Sequence, residues 1–193
     1  MDYEERLEIF KNELELINNN EVRDFACECI KYVPDYIFTD CPSSSSGKYH
    51  PIEELGPDGT ILHTKKVFAL AYELSRALDC EQHRDEICAS ALLHDMLKQG
   101  PKRSGHTVRE HPQLMAKFIA DMYTEKFKDR LDRDTALIIY YGVFYHYGPW
   151  SSIDIRKPME KYTLEELAVY LADYVSSKRF VTVDVKRSTG GLV

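Results

Sequence analysis

The chain has no apolar run near the ~20 residues needed to cross a bilayer, so no membrane partner is expected. It has no CxxC pair. Its five cysteines (Cys27, Cys29, Cys41, Cys80 and Cys88) are odd in number, which indicates neither a disulfide framework nor a zinc knuckle. A reducing, cytoplasmic setting is the expectation. The first residues, MDYEERLEIF, are acidic and amphipathic, unlike a secretory signal. Internal repeats and long linkers are also missing. The chain is short of positive charge: 25 Lys and Arg stand against 32 Asp and Glu, a formal net charge of −7. Proteins that track a nucleic-acid backbone gain affinity from a basic stripe. Here basic residues gather only locally, at Lys98, Lys102, Arg103 and Arg109, which favours a small substrate over a polymer.

What is present suits a soluble globular domain. Of 193 residues, 44% are hydrophobic and 30% charged, well away from a disordered composition. A single domain over 1–193 is expected, with N-terminal helices in 1–33, a loop over 41–60 and a core over about 63–178. Leu7, Phe10, Leu14 and Ile17 have helical spacing, and Asn18-Asn19-Asn20 ends that helix. A second helix is expected from Val22 to Val33, stopped by Pro34. Residues 41–60 (CPSSSSGKYHPIEELGPDGT) are rich in Ser, Gly and Pro and read as a loop. Five further helices follow: His63 to Leu78, Arg84 to Lys98, Val108 to Phe127, Asp132 to about Gly148, and one capped by Thr163 with Glu166 that runs to Ser177. Phe180 to Val185 alternates as a short strand does, and the pattern fades at Ser188-Thr189-Gly190-Gly191. The expected fold is all-α, about seven helices with little or no sheet.

The chemistry lies in scattered histidines and aspartates. His94-Asp95 ends an apolar helix in ASALLHDMLKQG. Neighbours on a helix point about 100° apart, so both can reach one ion only near a helix end. An ordinary polar face is the bland alternative. His63 opens the preceding helix, His111 lies in REHPQLM and His146 in YYGVFYHYGPW. Asp173 lies in the apolar string AVYLADYVSS, where a buried carboxylate needs a cation or strong hydrogen bonds. A salt bridge to Lys178 or Arg179 would also serve. Only folding can bring these residues together, as in bundles that build metal sites between helices. Nitrogen and oxygen donors without thiolate suit Zn, Fe, Mn, Co or Mg.

The order His63, His94-Asp95, Asp173 resembles the signature of HD-domain metal-dependent phosphohydrolases, over roughly His63 to Ser177. His111 and His146 are similar to the extra ligands of the five-histidine members, which hold two metals. The resemblance implies an HD-type helical bundle. It also implies that His63, His94, Asp95 and Asp173 hold a first divalent metal, that Asp95 bridges to a second, and that His111 and His146 complete that second site. A more local resemblance links SSSSGKYHP and GPDGTILHT to HD-type 3′-to-5′ exoribonucleases, with Asp58 at the first glycine position of their GGLLxHT-like stretch. LADYVSSKRF is similar to a segment of HD-type hydrolases that split dinucleoside tetraphosphates.

The expected reaction is cleavage of a phosphoester or phosphoanhydride bond of a nucleotide or dinucleotide by a metal-activated water. Asp95 and Lys98 are the expected catalytic residues, Lys98 steadying phosphate charge; a helix-terminal cation is the bland reading of that lysine. Lys102, Arg103, His106 and Arg109 on one loop, and Ser44, Ser45, Ser46, Lys48 and His50 on another, are expected to touch phosphate or ribose, although solvated loops are often charged. Tyr147 and Trp150 are expected to stack on a base. The alternatives are an exonuclease or phosphodiesterase on single-stranded RNA or DNA ends, a non-catalytic HD-type regulator, and di-iron oxygenase chemistry. Self-association into a homo-oligomer is left open.

Overall fold

A computed structural model describes residues 1–185 of the 193, and those residues form helices and loops without a strand. The helices begin where the sequence supplies caps. Asp2 and Glu5 make a capping box for α1 (Tyr3–Ile9), and Phe10 breaks the chain before α2 (Lys11–Glu15). The continuous N-terminal helix expected from periodicity is therefore two short pieces, and Phe10, Leu14 and Ile17 all reach the core. Asn19 caps α3 (Asn20–Tyr32) by accepting from Glu21 N at 2.9 Å and Val22 N at 3.3 Å. A single turn, α4 (Tyr36–Thr39), leads into the loop.

The long helix α5 (Gly59–Ala77) starts a full turn earlier than expected, so His63 lies inside it instead of opening it. It packs on α6 (Arg84–Leu93) and α9 (Leu164–Ser176), and α8 (Arg133–Tyr145) closes the group against both. The helix α7 (His111–Met122) packs on α8 and ends in a π-helical turn over Tyr123–Phe127. Asp132 caps α8, and the expected Thr163–Glu166 capping box starts α9. The core runs through Phe25, Val67, Phe68, Leu92, Leu93, Met115, Ile139 and Val169.

The N-terminal helices share this core: α3 packs on α6, and buried Lys65 of α5 donates to Glu13 Oε2 of α2 at 2.7 Å. All five cysteines are free. No helix among the described residues is long and apolar enough to cross a membrane. The alternation at Phe180 to Val185 forms no strand, because a lone extended segment has no partner for its backbone groups. The Ser188–Gly191 segment lies outside the described residues.

Candidate metal centre

Helix α6 stops at Leu93, short of the expected Lys98, and His94 is its C-cap. The backbone then tightens into turns, with Lys98 N donating to Asp95 O at 2.9 Å and Gly100 N to Leu97 O at 2.7 Å. At this helix end the His94 and Asp95 side chains come near one another despite the divergence of about 100° that a helix imposes on neighbours. His94 Nε2 lies 3.5 Å from Asp95 Oδ2 and 4.0 Å from Asp173 Oδ1. His111 is the first residue of α7 and His146 the C-cap of α8, so these rings also sit at helix ends. Asp173 lies in α9 opposite His63 of α5, with His63 Nε2 2.9 Å from Asp173 Oδ1.

Two sets of three ligand atoms result: His63, His94 and Asp173 in one, Asp95, His111 and His146 in the other. Within each set the atoms lie within 4.8 Å of one another. Asp95 Oδ1 is 3.1 Å from His111 Nε2 and 3.8 Å from His146 Nε2. A third set, His50, Glu54 and His63, adjoins the first.

Hydrogen bonding sets three of the rings. His94, His111 and His146 each meet the carbonyl three residues back through Nδ1, at 2.7 Å (Ala91), 2.7 Å (Val108) and 2.6 Å (Val143). A carbonyl only accepts, so each Nδ1 carries the proton, and in the neutral ring Nε2 is left with its lone pair. With both rings neutral, His111 Nε2 and His146 Nε2 would face each other at 3.1 Å with no proton to share, and His94 Nε2 is buried without a hydrogen-bond partner. Lone pairs turned toward one another beside a carboxylate fit a divalent cation, and nitrogen and oxygen donors are the set such ions take.

The charges agree with this geometry. Burial pushes the Asp95 carboxyl up, but the Lys98 ammonium beside it, joined by the surrounding imidazoles when they are protonated, outweighs it and holds it well below the usual range. Burial acts the same way on Asp173, and His63 and its neighbours overcome it. His63, despite its burial, is raised to about 9 between Asp173 and Glu54. His146 is lowered to about 3 by burial and by His94 and His111 beside it.

Asp95, Lys98, His111, His146 and Asp173 line part of a cavity of about 580 Å³, and His63 and His94 lie outside its lining. Lys98 is buried and ion-paired with Asp95. Of the other expected binders, Ser45, Ser46, His50, His106, Tyr147 and Trp150 line the cavity, as does Ser44. Thr107 N donates to Ser45 Oγ at 2.8 Å, which ties the two loops together across it. Lys48, Lys102, Arg103 and Arg109 lie outside the lining. Lys48 rests near the Tyr49 ring, Arg103 pairs with Asp40, and Arg109 Nε donates to the Trp150 carbonyl at 3.3 Å. Lys102 is exposed in the turn after Gly100.

Tyr49, Tyr174 and Lys178 line the cavity and Glu54 lies beside His63, none of them an expected site residue. Glu54 is fully buried, and its one sequence signal was the spacing of four from His50. Neither Lys178 nor Arg179 serves Asp173. Lys178 Nζ sits 3.7 Å from the Tyr174 ring centre, and Arg179 Nε donates to the His50 carbonyl at 3.1 Å.

A family model described as the HD domain matches residues 60–178. No curated protein and no solved structure matches the chain significantly.

Proposed function

The chain belongs to the HD-domain family, and on that premise we propose that it is a metal-dependent phosphohydrolase. Its proposed reaction is cleavage of a phosphoester or phosphoanhydride bond of a nucleotide or dinucleotide. One observation carries the reading: of the two triads of imidazole and carboxylate donors, Asp95, His111, His146 and Asp173 line one cavity, with the buried Lys98 among them.

His63, His94 and Asp173 on one side, and Asp95, His111 and His146 on the other, would hold one or two divalent cations, which would supply a Lewis acid and lower the pKa of a bound water. Asp95 stands between the triads, facing His94 through Oδ2 and His111 through Oδ1. It orients the attacking water by accepting its hydrogen bond. Lys98 places a fixed positive charge at the cavity wall, where negative charge grows on the phosphate oxygens in the transition state. Ser44, Ser45 and Ser46 present hydroxyls for the outer oxygens of the phosphate or ribose.

The mouth of the cavity supports a nucleotide over a bare phosphate ester. Trp150 and Tyr174 stack with centroids 5.7 Å apart and planes 21° apart, and both line the cavity with Tyr49 and Tyr147. Aromatic faces hold bases of any sequence, and the cavity volume falls in the range of about 300–1,000 Å³ usual for small-molecule sites.

The reading is tested by metal analysis of the purified protein with a hydrolysis screen over dNTPs, nucleoside monophosphates, dinucleoside polyphosphates, cyclic nucleotides and short RNA. Metal-dependent turnover of a nucleotide, abolished in folded Asp95→Ala, is the expected result. A metal-loaded protein that turns over none of these overturns it.

A further inference from the structure

His63 differs from the other three imidazoles in how its ring is held. His94, His111 and His146 sit at helix ends and use the carbonyl three residues back. His63 lies within α5, where that carbonyl belongs to the helical ladder. A cation on His63 Nε2 leaves the ring proton on Nδ1, so an acceptor is needed on that side.

Glu54 supplies it. Its Oε2 is 3.3 Å from His63 Nδ1, a buried nitrogen with no well-aligned hydrogen bond of its own. Glu54 is itself 0% exposed and held by many partners. His50 Nδ1 meets Oε2 at 2.8 Å, Ser43 Oγ donates to it at 3.2 Å, and Lys66 Nζ pairs with Oε1 at 2.9 Å. The backbone is built to seat it there: a Cβ at Gly59 would stand 1.9 Å from the Glu54 carbonyl oxygen, so only glycine lets this turn lie against the start of α5.

We infer that Glu54 is a positioning residue, which accepts the Nδ1 proton of His63 and so presents His63 Nε2, beside Asp173, to the metal. Lys66 already supplies the cation that Glu54 requires, so the His50, Glu54 and His63 group is an outer support and not a third ion site. The inference rests on the metal-dependent reading above. A carboxylate partner makes the imidazole a stronger ligand and fixes its orientation, and loss of such a partner typically weakens metal binding about 10–100-fold.

The test uses the full chain and zinc alone, with affinity from chelator competition, stoichiometry from calorimetry, and histidine tautomers from long-range ¹⁵N–¹H NMR. In the zinc-loaded wild type His63 is expected to carry its proton on Nδ1. Glu54→Gln is expected to bind zinc about 10–100-fold more weakly when compared below its melting temperature, which falls in the zinc-free protein because Lys66 loses a buried partner. Unaltered zinc affinity in Glu54→Gln overturns this inference alone. So does a third equivalent of zinc that disappears with Glu54. If Glu54→Gln fails to fold, the wild-type spectrum decides: a proton on His63 Nε2 in the loaded protein refutes the inference. A wild-type chain that takes up no metal overturns the hydrolase reading and this inference together.

Discussion

His111 Nε2 and His146 Nε2 face one another at 3.1 Å, while the Nδ1 of each ring is committed to a backbone carbonyl. Two lone pairs so placed repel in the absence of a positive charge between them, and Asp95 Oδ1 lies 3.1 Å from the first of these nitrogens. Removing one ring should relieve that repulsion and remove a ligand together. His146→Ala is expected to lower the metal content from two equivalents to one, as measured by elemental analysis after dialysis. Metal should also stabilise this variant less than the wild type, where a ligand at 100 times its Kd adds about 2.7 kcal/mol. Two retained equivalents would remove His146 from the ligand set.

Trp150 is the one tryptophan of the chain, and it stacks on Tyr174 at the mouth of the cavity. Its fluorescence therefore reports on that mouth alone. A nucleoside monophosphate should quench it saturably, and ribose 5-phosphate should not. Trp150→Ala should raise KM with kcat little affected, by the roughly 5- to 150-fold that corresponds to about 1–3 kcal/mol of base stacking. An equal KM for the two proteins places the base elsewhere. The salt dependence of binding separates a nucleotide from a nucleic-acid end, since a polymer gives a steep slope.

Lys65 and Glu13 form a buried ion pair between α5 and α2, with side chains 1% and 8% exposed. Removing one partner leaves a charge stranded in the core. Glu13→Ala should cost about 3–5 kcal/mol in urea unfolding. The double substitution Glu13→Leu with Lys65→Met should recover most of that loss, because two well-packed apolar side chains replace a pair whose attraction is spent on desolvation. A loss below 1 kcal/mol for the single variant would mean that water reaches the lysine.

Much of this was legible in the sequence because it is local. Asn19, Asp132 and Thr163 cap helices through backbone groups two or three residues away. The ligand types could be read because a histidine or carboxylate in an apolar helix is conspicuous, as with Asp173. Helix ends were less legible. The tight turns after Leu93 follow from interactions of the His94-Asp95-Lys98 segment that periodicity does not record. Lys48, Lys102, Arg103 and Arg109 looked like phosphate binders by charge alone, yet their placement depends on the loop backbone, and they lie outside the cavity lining.

By itself the sequence determined the helices, their order and the imidazole and carboxylate donors they carry, since side-chain periodicity and capping act within a turn of chain. Tertiary structure decided which donors meet. His63 and Asp173 are 110 positions apart and come within 2.9 Å only because α5 and α9 pack together. It also set Glu54 Oε2 3.3 Å from His63 Nδ1 and Lys178 over Tyr174, because contacts between distant elements depend on how helices cross, which no local pattern encodes.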